Sequence, residues 1–498
     1  MWSGRYAEVV RGTADCRLRR EAKSTRRKVS VLSSVLRSRR KEINVSLLYR
    51  RCAGLDVHQK SISACIRIRI SSRKLQTETA VFGTYTRDLE RLAEWLKQFQ
   101  VKQVAMESTG VYWKPVWNVL EAARWKFVLL LVNPQQVHAL PGKKTDQQDC
   151  ERIAAYLQQG LLRGSFVPPQ PIRELRELTR RRVHLQGDRN RIINRIGRLL
   201  ETVNIKLGSV LSNIVGKTGR TILEAIASGD RDADHLAGNM FGRLKCTRED
   251  LTRALEGRYD ESFRWLLRQL LDELTGLDGR LQKADCRIRD LTVSHVDLIG
   301  RLCTLPGVDL ITAWTLIAEL GTDMTQFSDA RHMASWAGLC PGNAESAGKR
   351  FSGRTRKGDR YLRRMLIQNA WGVAHMKNCA LTAWFFRIAA RRGMKRAAMA
   401  VAHRILVLAY YIIRDGSVYQ EAGGDIYDRR NPERTAKRLA RRFERMGFEV
   451  SYKPRVPLPP KGPPLPGQTC PRCNAWGIAC IHVRPRRPTR VSNSEPSA

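Results

Sequence analysis

The sequence predicts an α/β domain built on a mixed sheet, followed by a helical middle region and a helical C-terminal domain. Two observations carry this reading. Three strand-like segments in a row precede the first helical one, an order that an ordinary doubly wound sheet does not have. Beyond residue 166, apolar residues recur at helical rather than strand spacing.

In order, CAGLDVH (52–58) reads as a buried strand, SISACIRIRI (61–70) alternates as a second, and QTETAVFG (76–83) is a third. TRDLERLAEWLKQF (86–99) has helical spacing and VKQVAMES (101–108) is a strand. VYWKPVWNVLEAARW (111–125) is a helix and KFVLLLVN (126–133) a strongly apolar strand. Three strands, a helix, then strand and helix in alternation describe a mixed sheet of the ribonuclease-H type. Residues 1–50 carry basic clusters with little periodicity and read as a solvated arm or an extension upstream of the true start. The α/β domain takes 51–165, a helical and coiled-coil region 166–300, a helical domain with a helix-hairpin-helix-like element 301–415, and a basic, Pro-rich tail 416–498.

The middle region holds two long helices, 172–206 and 263–291. The second has a heptad seam at Phe263, Leu267, Leu270, Leu274, Leu277, Leu281, Ala284, Ile288 and Leu291. In the first, Arg182 and Arg189 fall on the corresponding seam. A hairpin within one chain and a coil that joins chains (a dimer or tetramer) both satisfy the pattern.

Charge narrows the partners. Lys and Arg number 89 against 47 Asp and Glu, a formal net charge of +42 over 498 residues. Such an excess makes a polyanion the expected partner, nucleic acid first and an anionic membrane second. No apolar run approaches the ~18 residues of a spanning helix, so no membrane partner is expected. The twelve cysteines are scattered apart from the last three, as reduced thiols of a cytoplasmic protein would be. The first 50 residues lack the compact apolar core of a secretory signal.

Four acids suggest chemistry. Asp56 lies at the end of the first strand and Glu107 at the end of the fourth, so neighbouring parallel strands would bring them together. In KKTDQQDCERIAAYLQQG, Asp146 and Asp149 are one turn apart on one helix face. Acids at a helix N-terminus commonly just complement its dipole. Four converging carboxylates, however, repel one another unless cations sit among them, and Mg²⁺ or Mn²⁺ suits such oxygen donors. Two such ions roughly 3.5–4 Å apart can clamp both oxygens of a phosphodiester displacement. Lys143 and Lys144 would face the phosphate backbone.

A second cluster is PGNAESAGKRFSGRTRKGDRYLRRML (341–366). It is not a phosphate-binding P-loop, because five residues separate Gly342 from Gly348 and Arg350 follows Lys349. It reads as a Gly-rich loop in which Ser346 is surrounded by Lys349, Arg350, Arg354, Arg356 and Lys357. A hydroxyl among cations is suited to attack on a phosphate. Upstream, LCTLPGVDLITAWTLIAELG (302–321) reads either as a plain helical hairpin or as a helix-hairpin-helix whose turn at Gly307 meets a phosphate. In the tail, Cys470, Cys473, Cys480 and His482 form a CxxC…CxH set that could hold Zn²⁺.

The stretches GLDVHQKSI, AMESTGVYW, LVNPQQVHAL with KKTDQQD, and LPGVDLITA…GLCPGNAESAGKRFSGRTRKGDRYLRR together resemble one family. It is that of the serine transposases with a DEDD acidic tetrad, related to Piv-type DNA invertases and known as bridge-RNA-guided recombinases. The resemblance spans about residues 52 to 410. It implies a RuvC-like N-terminal fold, the tetrad Asp56, Glu107, Asp146 and Asp149, and Ser346 as a nucleophile that captures a DNA phosphate covalently. It further implies excision and insertion of a mobile element, with a noncoding guide RNA choosing the target, in a prokaryotic cytoplasm at the nucleoid. A metal-dependent junction nuclease using water, and a non-catalytic nucleic-acid-binding protein, are the rival readings. Cys150 stands where the family usually has Ala.

Overall fold

The computed structural model describes residues 48–71, 74–107, 110–133, 146–238, 241, 246–342, 344–346, 349–355 and 357–452. The side chains of 146–148 and of 344–346 and 349–352 lie outside that description, as do residues 1–47 of the N-terminal arm and residues 453–498 of the tail, the CxxC…CxH set among them. The chain divides into two compact units, Met1–Val167 and Pro168–Ala498.

The first unit is a sheet with strand order β3-β2-β1-β4-β5-β6. Its strands are β1 (Arg51–Val57), β2 (Ile62–Arg69), β3 (Leu75–Phe82), β4 (Gln103–Glu107), β5 (Val128–Val132) and the short β6 (Gly164–Ser165). β1, β2 and β3 form an antiparallel meander, β1–β4 and β4–β5 are parallel, and β6 closes the other edge antiparallel. This is the mixed sheet expected from three strands before the first helix.

Helices α1 (Thr86–Gln98) and α2 (Trp113–Ala122) bury Leu89, Leu92, Leu96, Val116 and Leu120 in the core they share with Leu55, Ile62 and Ile66. Truncating one of these leucines to Ala would cost about 2–5 kcal/mol. Helix α3 (Asp146–Gln158) packs on β1, β2 and β4 and contributes Ile153 and Leu157 to a separate cluster with Cys52, Ala105 and Val132. Gly54 makes that approach possible: a Cβ there would stand 2.4 Å from both the Cys150 carbonyl oxygen and the Ala154 nitrogen.

Among the described residues, the regular structure of the second unit is helical apart from one ribbon. Its longest helices, α4 (Gln170–Thr202) and α9 (Glu261–Leu291), pack against each other. Between them run α5 (Leu207–Val210), α6 (Lys217–Ser228), α7 (Ala233–Gly238) and α8 (Arg248–Leu255). Ion pairs Arg182–Asp285 and Arg189–Asp278 run in opposite chain directions, so the two helices form an antiparallel hairpin within this chain. They also account for two arginines on an apolar seam. Of the expected seam, Leu270 is only partly buried and its neighbour Leu271 is fully buried, while Leu274, Leu277, Leu281 and Ile288 lie buried where expected.

The remaining helices are α10 (Val296–Leu302), α11 (Leu310–Leu320), α12 (Ala330–Trp336), α13 (Arg360–Ala374), α14 (Ala380–Arg392), α15 (Met394–Asp415), α16 (Ile426–Arg429) and α17 (Pro432–Glu444). Helix α15 is long and apolar enough, on average, to cross a membrane, although Lys395, Arg396, His403 and Arg404 interrupt any continuous apolar run. Half of its apolar window is buried, and it packs against α12, α13 and α14 through residues such as Val401, Ile405 and Leu406. That is the environment of a core helix. Between α12 and α13 the expected Gly-rich loop contains two short strands, β7 (Ala344–Ser346) and β8 (Lys349–Ser352).

Candidate active site

Backbone register assembles the acidic half. Parallel pairing of β1 with β4 runs from Cys52↔Gln103 to Leu55↔Met106, so one further step sets Asp56 beside Glu107. Both are buried, with 5% and 7% exposure. Asp56 Oδ2 lies 3.1 Å from His58 Nε2 on the loop after β1.

Helix α3 begins at Asp146 and reaches Asp149 one turn later. Asp149 is mostly buried and its Oδ1 takes no hydrogen bond, although Arg152 Nη1 is 3.2 Å away. This buried oxygen, on a helix that packs on the strands carrying Asp56 and Glu107, pairs with Arg152 and is of the hard donor type that a divalent cation takes. Among the described side chains no group of three or more potential metal ligands comes together; that of Asp146 is outside the description. The described acids Asp56, Glu107 and Asp149 are of the carboxylate type that Mg²⁺ or Mn²⁺ prefers. Lys143 and Lys144 lie outside the described residues.

Next to Asp149, the buried thiol of Cys150 meets that of Cys65 on β2. The hydrogen bond between them, with burial, raises the Cys65 thiol far above its ordinary range, and the same bond lowers that of Cys150. Cys150 thus sits in a small buried cluster with Cys65 and Ala154.

In the second unit, Ser346 is the last residue of β7 and pairs with Lys349 of β8, while Glu345 pairs with Arg350 across an irregular register. The ribbon's base is tightly fixed. Pro341 bridges to Thr355, and the Gly342 nitrogen donates to the Arg354 carbonyl at 2.9 Å. A Cβ on Gly342 would stand 2.5 Å from that carbonyl oxygen, and one on Gly358 would stand 2.4 Å from the Gly338 nitrogen. Arg354 and Lys357 are exposed; Arg356 lies outside the description.

Gly307 has a left-handed φ of +77°, in the turn between α10 and α11. A Cβ there would lie 2.7 Å from Val373 Cγ2 and 3.1 Å from the Asn369 carbonyl oxygen, both on α13. Packing and conformation thus already require glycine. Asp309 caps α11, its carboxylate accepting from the Thr312 nitrogen at 2.9 Å.

The sequence reading passed over several polar partners. His58 carried a signal, two residues after Asp56. Arg152 also carried one, a turn beyond Asp149. A third group centres on Glu319, wholly buried in α11. Arg180 of α4 grips it with two hydrogen bonds of 2.8 Å, and Arg176 Nε stands 3.1 Å from its Oε2. Arg180 also reaches Asp359 Oδ2 at 3.3 Å. Burial, with Asp359 alongside and despite Arg180, pushes the Glu319 carboxyl up to about 7. Its sequence signal was one acid in the apolar run LITAWTLIAEL.

Comparison with known families gives two matches. Residues 53–205 match a model of the DEDD type named for IS110 and described as "Transposase"; residues 300–384 match one described as "Transposase IS116/IS110/IS902 family". The chain is 25% identical over 300 residues to the transposase for insertion sequence element IS1111A of Coxiella burnetii, covering 58% of this chain and 72% of that one. The y4pF/y4sB protein of Sinorhizobium fredii is 29% identical over 170 residues, 32% of this chain and 44% of its own. The 43.6 kDa protein of insertion element IS110 from Streptomyces coelicolor is 28% identical over 153 residues, 30% and 37% of the two chains. The match thus spans less than half of two of these relatives. Among solved structures, T. thermophilus RuvC in complex with a Holliday junction substrate aligns at 14% identity with a TM-score of 0.20, covering 24% of this chain and all of that one.

Proposed function

We propose that the chain is a transposase of the IS110/IS116/IS902 type, which cuts and rejoins the DNA of an insertion sequence by phosphoryl transfer. The observation that supports this best is the buried pair Asp56 and Glu107 on adjacent parallel strands. The order of the two family matches along the chain adds to it.

In this reading Asp56, Glu107, Asp146 and Asp149 hold Mg²⁺ or Mn²⁺. Such an ion, when bound, supplies charge neutralisation at the scissile phosphate and at the leaving oxygen. Ser346 supplies the nucleophile: its Oγ–P bond forms as the P–O3′ bond breaks, the hydroxyl proton passes to solvent, and the 3′ oxygen leaves as a hydroxyl after taking up a proton. A second 3′ hydroxyl reverses the step, rejoining DNA and releasing the serine. Lys349, Arg350, Arg354, Arg356 and Lys357 offset the phosphate charge, and Lys143, Lys144 and the Gly307 turn hold the DNA backbone. A noncoding RNA guides target choice in a prokaryotic cytoplasm, and the protein works as a dimer or tetramer.

Strand cleavage of element-end DNA with Mg²⁺ tests the core of this reading. Wild-type protein should cut, and Asp56→Asn and Ser346→Ala should each lose cutting while still binding DNA, since binding rests mainly on the basic surface. Cutting retained by Ser346→Ala would identify water as the nucleophile. Unchanged activity in Asp56→Asn would remove the acids from the chemistry. Restored cutting in a mixture of Asp146→Asn and Ser346→Ala proteins would show a site shared between protomers.

A further inference from the structure

Seven residues past the ribbon that carries Ser346, Asp359 enters a side-chain network whose other end is the long helix α4. We propose that Arg180, gripping Glu319 and Asp359 together, is a positioning residue that ties the base of the Ser346 ribbon to α4. This inference rests on the reading of Ser346 as the nucleophile.

Past Ser352, Thr355 is bridged to Pro341, Gly358 lies against the backbone of Ala337 and Gly338, and Asp359 then caps α13. Asp359 Oδ1 accepts from the Tyr361 and Leu362 nitrogens at 2.9 Å, which leaves Oδ2 for Arg180 at 3.3 Å. The same guanidinium makes its two bonds of 2.8 Å to Glu319 on α11 and lies 4.7 Å from the centre of the Tyr361 ring. His184, one turn further along α4, meets the Tyr361 hydroxyl at 2.8 Å. Arg176 completes the clamp by donating to the Ala318 and Glu319 carbonyls at 2.9 Å each, at the C-terminal end of α11.

A planar fork is the chemical requirement at position 180. Only guanidinium can donate in parallel to one carboxylate while reaching a second and stacking on a ring. Apolar packing would secure the helices equally well, and a buried ion pair is weak evidence for stability. What the fork adds is orientation: α11, α13 and α4 are referenced to one group at the foot of the ribbon. A shift of α4 would therefore be felt at Asp359.

The test measures single-turnover capture of 3′-labelled element DNA on the protein at saturating DNA, with Mg²⁺. It compares wild type, Arg180→Ala, Arg180→Lys and Asp359→Asn, with melting temperature and half-saturating DNA concentration measured for each. Asp359→Asn retains a capping side chain, so α13 should stay intact. Expected is a fall in capture rate of about tenfold or more for Arg180→Ala and Asp359→Asn, partial recovery in Arg180→Lys, and unchanged half-saturation. Wild-type capture rates in folded Arg180→Ala and Asp359→Asn would overturn the inference, as would a rate that simply follows melting temperature across the set. Absence of any adduct on wild-type protein would overturn the serine reading and this inference with it.

Discussion

In the first unit two of the candidate acids, Asp56 and Glu107, stand on the central strands of a sheet, whereas in the second Ser346 stands on a ribbon of two short strands. Asp56 and Glu107 are placed by backbone pairing, and α3 reaches β1 because Gly54 has no side chain. The ribbon depends instead on two glycine contacts and on a cluster of four charged side chains drawn from two helices and a cap. Placement by register tolerates side-chain changes nearby but not backbone displacement. Placement by a charged cluster is sensitive to single side chains and to pH.

The largest expected effect breaks the acids without breaking the sheet. Asp56→Asn should slow strand cleavage by on the order of 10³-fold, while its melting temperature holds or rises because repulsion with Glu107 is relieved. A fall of several degrees with activity intact would reverse the reading of this pair as functional. Next, Gly54→Ala must push α3 away from β1 and should lose about 3 kcal/mol on denaturant unfolding together with most activity.

The pH response of Glu319 separates the two regions more finely. Its carboxyl titrates near 7 in the folded chain against an ordinary 4.5, so between those values the folded state binds more protons than the unfolded one. The stability that this group contributes is therefore full below about 4.5 and is lost as pH rises through about 7. The groups facing it are Arg176 and Arg180 from α4 and Asp359 at the start of α13. Melting temperatures from about pH 5 to about pH 8 should fall more steeply in wild type than in Glu319→Gln. Parallel curves would contradict this. The smallest effect is expected at Arg189→Ala, where a partly exposed pair with Asp278 should contribute no more than about 1 kcal/mol.

Much of the first unit was legible because its strands are short apolar runs bounded by turns, and their order before and after α1 restricts the sheet to few topologies. β6 was not, since two residues, Gly164 and Ser165, carry no alternation. The β7–β8 ribbon was hidden for another reason: KRFS and AES are short, polar segments beside glycines, and their pairing is a tertiary fact. Arg182 and Arg189 looked like seam defects until Asp285 and Asp278 supplied partners roughly a hundred residues away. The positions of Asp56, Glu107 and Asp149 could be read from strand ends and helix spacing. The clamp around Arg180 could not, because its partners Glu319 and Asp359 are 139 and 179 residues distant in sequence.

The most direct test of the account is peptide mapping of a covalent protein–DNA adduct formed with Mg²⁺ and labelled element-end DNA. The account predicts label on the peptide containing Ser346 in wild-type protein, and none in Asp56→Asn. Label on another residue, or equal labelling of Ser346 in Asp56→Asn, would contradict it.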